Sequence, residues 1–288
     1  ADHVAEMARA AVFEQYGETA YVSGLRVETT VRRVDQEAAN AGLRLGVLEY
    51  DRRHSYRGPE GYVKLPDAPG AALDEAIEDA LQDRDPVGDL VGAVVLEASA
   101  GQVSAVMRRG DAVKIAGDGL RFAARALAER SNPDRAIRRG AIIRLQALEK
   151  GGWSIAQLPK VEAAVVSLDP ASGAIRALAG GFDFSANKFN HVTQAWRQPG
   201  SSFKPFIYSA ALERGFMPST LINDAPLIVD PDLTGGQVWE PKNYDNKYEG
   251  PMSMRKGLTK SKNMVSIRIL NKIGAQYGQE YTTRFGFE

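Results

Sequence analysis

Apolar residues recur at helical spacing at the start of the chain and at strand spacing soon after it. The spacing over Asp2–Tyr16 predicts an amphipathic helix. Leu25–Val31 (LRVETTV) alternates apolar and polar positions and is rich in β-branched residues, which predicts a strand. A second helix is expected over about Asp35–Asp51, with Asp35 as its N-terminal cap. The first 66 residues are therefore predicted to combine two helices with one strand.

Brief apolar strands dominate the next part of the chain. They follow a polar, turn-rich segment, RRHSYRGPEGYVKLPDAPG, and a short acidic helix over Ala71–Arg84. The strand sequences are VGAVVLEA, QVSAVM, DAVKI, GAIIRLQ and WSIAQL. Glycine and charged turns separate them, which is typical of a small barrel or sandwich. Residues 67–158 are therefore predicted to form an all-β insert.

The pattern changes again after about residue 159. VEAAVVSL and AIRALAGG, joined by a DPASG turn, predict a β-hairpin, and the apolar first strand predicts a central position in a sheet. A helix is expected over Ser201–Arg214, followed by an irregular segment to Gly250. Two further helices are expected over about Ser253–Ser261 and Asn263–Ile273. The predicted fold class is α+β.

Candidate chemistry begins with the pattern Ser-x-x-Lys, which starts at Ser185, Ser201 and Ser253. Only at Ser201 does a Pro-Gly break precede the pattern and an apolar helical stripe follow it. Residues three apart share a helix face, so the Lys204 amine could take a proton from the Ser201 hydroxyl. An N-capping serine beside a surface lysine is the commoner use of such a pattern, and the helix alone favours it.

A second polar element shifts the balance toward chemistry. Ser261 and Asn263 flank Lys262 between a polar turn and an apolar helix. A hydroxyl there can relay a proton, and an amide can both donate and accept hydrogen bonds. The ordered pair of Ser-x-x-Lys and Ser-x-Asn is therefore the candidate catalytic set.

Charge and composition exclude several other classes. The 36 basic and 36 acidic side chains cancel, which argues against a nucleic-acid partner. The absence of cysteine rules out a thiol nucleophile, disulfides and cysteine metal sites. No run of about eighteen apolar residues occurs, so no transmembrane helix is expected. The start, ADHVAEMARAAVFEQYG, resembles neither an intact N-terminus nor a signal peptide, and we interpret the chain as a fragment.

Three longer stretches make the pattern specific: QLPKVEAAVVSLDPASGAIRALAGGFDF, FNHVTQAWRQPGSSFKP and VWEPKNYDNKYEGPMSMRKGLTKSKNMVS. They resemble the transpeptidase domain of class A penicillin-binding proteins, a group whose signature includes S-x-x-K followed by a Ser-x-Asn element. The order of segments resembles the Gram-negative 1A branch, which has an OB-like insert. The resemblance implies a linker with the first strand and helix over 1–66, the OB-like insert over 67–158 and the transpeptidase domain over 159–288.

The resemblance implies a peptidoglycan D,D-transpeptidase that forms an acyl-serine intermediate. Ser201 is expected to attack the D-Ala-D-Ala carbonyl, and Lys204 to take its proton. Ser261 is expected to return the proton to the leaving D-Ala, and Asn263 to bind the amide backbone of the stem peptide. β-Lactams would acylate the same serine, and no metal or organic cofactor is needed.

The resemblance also implies a parent protein anchored in the inner membrane of a Gram-negative bacterium, at its periplasmic face. That parent is expected to carry a glycosyltransferase domain and to bind an outer-membrane lipoprotein activator through the OB-like insert. Trp239 and Tyr244 are candidates for lining the cleft, although burial in a packed loop is the commoner state of such side chains.

The family pattern is incomplete within the 288 residues. No Lys-Thr-Gly or Lys-Ser-Gly triplet occurs, and family order would place it after residue 288. That strand contributes to the oxyanion hole, and losing one oxyanion donor costs on the order of a hundred- to thousandfold in rate. These residues alone are therefore expected to be inactive or nearly so.

Other functions fit part of the pattern. A serine β-lactamase shares the chemistry but lacks the linker and the insert, and it needs a deacylating base. A non-enzymatic penicillin sensor or docking scaffold leaves the four polar residues unexplained. Ser-His-Asp hydrolysis is disfavoured because no G-x-S-x-G motif occurs and nothing marks His3, His54 or His191 as a base.

Overall fold

The chain folds into two compact units, residues 1–196 and 197–288. The computed structural model describes residues 1–108, 110–128, 132–228 and 238–287. The helices are α1 (Asp2–Tyr16), α2 (Arg33–Arg52), α3 (Ala71–Leu81), α4 (Lys204–Glu213), α5 (Met254–Thr259), α6 (Asn263–Ile273) and α7 (Ala275–Thr282). Within the described ranges, none of these helices is both long and apolar enough to cross a membrane.

The strands are β1 (Gly61–Tyr62), β2 (Leu90–Ala98), β3 (Gln102–Met107), β4 (Ala112–Ala116), β5 (Ala141–Ala147), β6 (Trp153–Ala156), β7 (Val165–Leu168), β8 (Ile175–Ala179), β9 (Leu221–Asp224) and β10 (Gly250–Ser253). Short 3-10 helices lie at Gly17–Tyr21, Gly117–Leu127, Gly200–Phe203 and Thr283–Phe285.

An antiparallel sheet dominates the first unit and contains all the strands predicted for the β-rich insert. Its order is β1-β5-β2-β3-β4, and β6 pairs with β5. Alternation places Val95, Ala105 and Leu145 in its fully buried core, which the 3-10 helix Gly117–Leu127 also lines. The spacing of apolar residues therefore identified these strands, but the 3-10 helix was not predicted.

The predicted hairpin forms as β7 and β8, but not in the centre of a sheet. Among the described residues, β7 pairs with β8 alone, and its Val166 and Leu168 are exposed. The Gln36 side chain of α2 donates to the Leu178 carbonyl at 2.9 Å and accepts from its N–H at 3.0 Å. The prediction of a central strand is wrong for β7, which has one partner strand among the described residues. On β8 the Gln36 side chain, rather than a further strand, contacts Leu178.

Two predictions for the first quarter of the chain are also wrong. Leu25–Val31 is not a strand, since no described strand pairs with it and Leu25 and Val27 are exposed. High β-propensity needs a partner strand before it produces a ladder. Asp35 does not cap α2, because the helix begins two residues earlier, at Arg33. The residue before it, Arg32, donates its backbone N–H to the Arg176 carbonyl.

The second unit contains α4, α5, α6 and α7, which pack together, and the two-stranded antiparallel sheet of β9 and β10, which α5 and α6 contact. Its core is formed by Tyr208, Ala210, Ala211, Ile222, Met252, Met254, Val265, Ile269 and Ile273. The predicted helices after Gly250 are found as α5 and α6, and α7 was not predicted. Part of the predicted irregular segment, residues 229–237, lies outside the described residues. This packing brings the start of α4 beside the junction of α5 and α6.

Candidate active site

Gly200 starts the turn that leads into the candidate nucleophile and base. Its φ of 55° lies in the left-handed region, which favours glycine. A 3-10 turn over Gly200–Phe203 follows, and α4 begins at Lys204 rather than at Ser201 as predicted. Pro205 lies in the first helical turn, where its missing N–H has no intrahelical partner to lose. This helix start, which is fully described, has no side-chain cap, so the alternative of Ser201 as an ordinary cap is wrong.

The Lys204 side chain is almost completely buried, with 8% of the residue surface exposed. Its Nζ donates to the Ser261 carbonyl oxygen at 2.6 Å and to Ser261 Oγ at 3.0 Å. It also donates to Asn263 Oδ1 at 2.7 Å. An ammonium has three N–H donors, so these acceptors use all of them. Three of the four residues predicted for the site therefore meet at one nitrogen.

Burial lowers the pKa of Lys204 below its usual value of 10.5. Desolvation disfavours the ammonium form, and no neighbouring charge among the described residues offsets that cost. The neutral amine has two N–H donors and one lone pair, and the Ser261 hydroxyl can then donate to it instead of accepting. The site can therefore hold Lys204 in the form that accepts a proton.

Ser201 lies three residues before Lys204 and is exposed. Among the hydrogen bonds of the described residues, those of Lys204 go to Ser261 and Asn263, and none joins it to the Ser201 hydroxyl. The fourth predicted residue is thus exposed and lies outside this hydrogen-bond network.

Ser261 lies at the end of α5 in a backbone conformation that most residues avoid. Its φ is 52°, and its N–H bonds to the Leu258 carbonyl at 2.9 Å. The next N–H, of Lys262, bonds to the Gly257 carbonyl at 2.9 Å. These two bonds form a Schellman motif, in which glycine usually occupies the left-handed position. A serine at this position is a local cost, of order 1 kcal/mol, at a residue that contacts Lys204.

Asn263 is the first residue of α6, and its side chain joins two parts of the second unit. Oδ1 accepts from Lys204, and Nδ2 donates to the Lys242 carbonyl at 2.8 Å. No side chain from the start of α6 itself caps this fully described helix end. Instead Asn243 Oδ1 accepts from the backbone N–H of Asn263 at 2.9 Å and of Met264 at 3.2 Å. Sequence reasoning missed Asn243, because a cap supplied by another segment leaves no local pattern.

Lys262 is buried among carboxylates at the same junction, with 3% of the residue exposed. Its Nζ lies 3.5 Å from Asp224 Oδ2, 3.2 Å from Asp245 Oδ2 and 3.3 Å from Glu249 Oε1. Burial disfavours its charge, but these acidic partners outweigh that effect, and the pKa of Lys262 is raised. Sequence reasoning missed this cluster, because Lys262 looks like an ordinary charged residue between two motif positions.

A cavity of about 300 Å³ adjoins Lys204 and Asn263 in the second unit. Trp239 is half-exposed and lines this cavity, as do Phe203, Ile207 and Leu270. Tyr244 is fully exposed. Trp239 therefore lines a cavity beside Lys204, whereas Tyr244 is neither packed in a loop nor among the residues that line this cavity.

The other two Ser-x-x-Lys patterns have structural roles. Ser185 lies in a turn whose N–H groups bond to Asp183. Ser253 caps α5, since its Oγ accepts from the Lys256 N–H at 3.2 Å.

His191 also has a structural role, since a ring nitrogen lies 2.8 Å from the Gly180 carbonyl. Its ring packs edge-on against Phe189. In the parts of the chain that the structure describes, no group of His, Cys, Asp and Glu side chains is arranged to hold a metal ion.

Comparisons with known proteins match both parts of the chain. The model of the penicillin-binding protein OB-like domain matches residues 56–161, and the model of the penicillin-binding protein transpeptidase domain matches residues 163–288. Penicillin-binding protein 1A of Neisseria lactamica is 47% identical over 99% of this chain, and that of Pseudomonas aeruginosa is 42% identical over 100% of it.

A crystal structure of penicillin-binding protein 1A from Haemophilus influenzae matches with a TM-score of 0.87 and 35% identity. The match covers 100% of this chain and 42% of the Haemophilus influenzae chain. The chain spans 36% of the length of the Neisseria lactamica relative and 35% of the Pseudomonas aeruginosa one.

Proposed function

The chain belongs to the penicillin-binding protein family, with an OB-like and a transpeptidase domain, and on that premise we propose that Ser201 is the nucleophile of a peptidoglycan D,D-transpeptidase. The observation that carries the proposal is the convergence on Lys204 Nζ of Ser261 and Asn263, 57 and 59 residues away along the chain. We also propose the domain division 1–66, 67–158 and 159–288.

Acylation uses the neutral amine of Lys204. As Ser201 Oγ attacks the carbonyl carbon of the penultimate D-Ala, Lys204 Nζ takes the hydroxyl proton. The tetrahedral intermediate collapses and the bond to the terminal D-Ala nitrogen breaks. That nitrogen receives a proton from the Ser261 hydroxyl, which Lys204 reprotonates. The products are a serine ester, free D-Ala and a neutral Lys204.

Transfer to the acceptor reverses the proton path. An amine of a second stem peptide attacks the ester carbonyl, and its proton passes through Ser261 and Lys204 to Ser201 Oγ. The ester bond breaks, and an amide cross-link forms. Asn263 Nδ2 donates one N–H to the Lys242 carbonyl, and its second N–H is proposed to orient the peptide together with the apolar wall containing Trp239. A β-lactam opens at its ring amide, so no leaving group departs and the ester persists.

The wider setting belongs to the same proposal. The polypeptide that carries this sequence is proposed to act at the periplasmic face of the inner membrane, where its substrate lies. A glycosyltransferase activity in the same polypeptide and an outer-membrane lipoprotein activator at the OB-like domain are proposed with it. Support for both is the similarity to penicillin-binding protein 1A.

The test is covalent labelling of the full-length protein with a fluorescent penicillin, followed by intact mass. We expect one adduct per chain, which Ser201→Ala abolishes and the neighbouring Ser202→Ala and the distant Ser185→Ala retain. An adduct that survives Ser201→Ala would sink the assignment of the nucleophile. Rapid hydrolytic turnover would favour a β-lactamase, and stable labelling without any peptide cross-linking would favour a sensor or scaffold.

A further inference from the structure

Asn243 uses the full hydrogen-bonding capacity of its side chain within the second unit. It is buried, with 3% of the residue exposed. Oδ1 accepts from the N–H groups of Asn263 and Met264, and Nδ2 donates to Asp224 Oδ1 at 2.7 Å and the Lys247 carbonyl at 2.8 Å. A carboxamide has two acceptor sites and two N–H donors, so all four are used. Its orientation is therefore fixed by its partners.

We propose that Asn243 is a positioning residue for the candidate base. The proposal rests on the proposed function. Asn243 holds the first two N–H groups of α6, and the first of these belongs to Asn263, whose Oδ1 contacts Lys204. A segment other than the helix itself thus sets the point at which α6 begins. The position of the Asn263 amide, and through it that of Lys204 Nζ, depends on this cap.

Asp224 fixes the amide of Asn243 from the opposite side. Asp224 is fully buried, and its Oδ2 accepts from the Glu249 N–H at 3.0 Å. The Lys262 ammonium, 3.5 Å from the same oxygen, supplies the opposite charge that a buried carboxylate requires. A carboxylate accepts only, so it selects the orientation in which Nδ2 faces Asp224 and Oδ1 faces the helix.

The charge of Asp224 makes substitution by aspartate informative. Asn243→Asp retains an oxygen that caps α6, but places a second carboxylate against Asp224 and the Lys247 carbonyl. The double variant Asp224→Asn/Asn243→Asp restores a donor between the two positions, while the contact to Lys247 stays lost. If Asn243 acted only through its shape, the double variant would recover nothing relative to Asn243→Asp, because asparagine and aspartate side chains have the same shape at both positions.

The experiment uses the full-length protein and benzylpenicillin. It measures the acylation rate constant k2 and the dissociation constant Kd of the preceding non-covalent complex. For Asn243→Ala and Asn243→Asp we expect k2 to fall about 10- to 100-fold, since misplacing a catalytic group by about 1 Å costs about that much. We expect Kd to change by less than about threefold, and the double variant to recover about tenfold of the k2 lost by Asn243→Asp.

Arg268→Ala is the matched control. Arg268 lies on the same helix and donates to the carbonyls of Ala225 and Pro226 at 2.8 and 2.9 Å, away from Lys204. It should lower the melting temperature without lowering k2. If it lowers k2 as much as Asn243→Ala does, or if Asn243→Ala keeps k2 within about threefold, the positioning role is wrong. Failure of the double variant to recover k2 overturns it as well, even if Asn243→Ala does not fold.

Amide hydrogen exchange separates this proposal from the proposed function. In Asn243→Ala the amides of Asn263 and Met264 should exchange about tenfold faster, and in Asn243→Asp the repulsion from Asp224 should displace the capping oxygen and speed their exchange as well. Unchanged exchange in Asn243→Ala would show that the cap does not hold α6. If the parent protein is not acylated at all, the proposed function and the positioning role both fail, while the exchange still decides whether the cap exists.

Discussion

Lys204 and Lys262 are both buried lysines, yet their surroundings shift their pKa values in opposite directions. Lys262 has three carboxylates within 3.5 Å, and its pKa is raised. Lys204 has hydroxyl, amide and carbonyl oxygens as its contacts, and desolvation lowers its pKa. Of the two, only Lys204 has its pKa shifted toward the neutral amine that a base requires. Lys262 remains charged and anchors the junction between α5 and α6.

The lowered pKa of Lys204 predicts how both activity and stability depend on pH. The acylation rate should rise with pH and then level off, because the neutral amine is the active form. The midpoint of this rise should lie below pH 10.5. The unfolded chain, with its higher pKa, binds more protons in this range. The free energy of unfolding should therefore increase as pH rises from the folded pKa toward 10.5.

Urea unfolding of the parent and of Lys204→Met over this pH range checks the stability effect. The methionine variant should lack the part of the slope that Lys204 contributes, and Lys204→Arg, which stays charged, should not be acylated. Identical pH slopes in the parent and Lys204→Met would contradict the lowered pKa.

At the scale of elements, the helices of the second unit followed from apolar spacing, but their junctions did not. The predicted helices over about Ser253–Ser261 and Asn263–Ile273 are present as α5 and α6. Glycine is a poor helix former, yet Gly257 lies inside α5. A Cβ on Gly257 would meet Val265 Cγ1 at 2.6 Å, so glycine there permits close packing of α5 on α6. Such contacts depend on tertiary packing and leave no mark in the local pattern.

This contact predicts the effect of adding a methyl group between the helices. Gly257→Ala should lower the free energy of unfolding by about 1–3 kcal/mol through overpacking. Val265→Ala removes the clashing methyl groups, so the double variant should lose less than the sum of the two single variants. Chemical denaturation of all four proteins measures this coupling, and strict additivity would show that the two positions do not clash.

At the scale of the molecule, the alternation of apolar and polar residues predicted the β-rich part more accurately than the other parts of the chain. The strands β2 to β6 are close to their predicted positions. Each pairs with a neighbouring strand, so the alternating pattern forms a ladder. Leu25–Val31 has the same propensity and no such neighbour, and it is not a strand. The candidate site is intermediate: Ser201, Lys204, Ser261 and Asn263 could be named from the sequence and the family resemblance. Asn243 and Asp224 could not, because their roles depend on contacts between distant segments.

The β-rich part contains its own core, which predicts that it folds alone. The core residues of its sheet, from Ala93 to Ile155, lie within 56–161, as does the smaller cluster around Leu81 and Val94. The segment 56–161 should unfold cooperatively in urea, and Leu145→Ala, at a fully buried position, should cost about 2–5 kcal/mol. A gradual transition, or no effect of the substitution, would show that the segment needs the rest of the chain.

The distance along the chain between Lys204 and its partners has a consequence for the order of events during synthesis. Lys204 leaves the ribosome before Ser261, which follows it by 57 residues. Until that later segment docks, the amine is solvated and keeps the pKa of an ordinary lysine, so it stays protonated. Under the proposed mechanism, Ser201 is therefore unreactive in the nascent polypeptide, and the protein acquires its chemistry as a late step of folding.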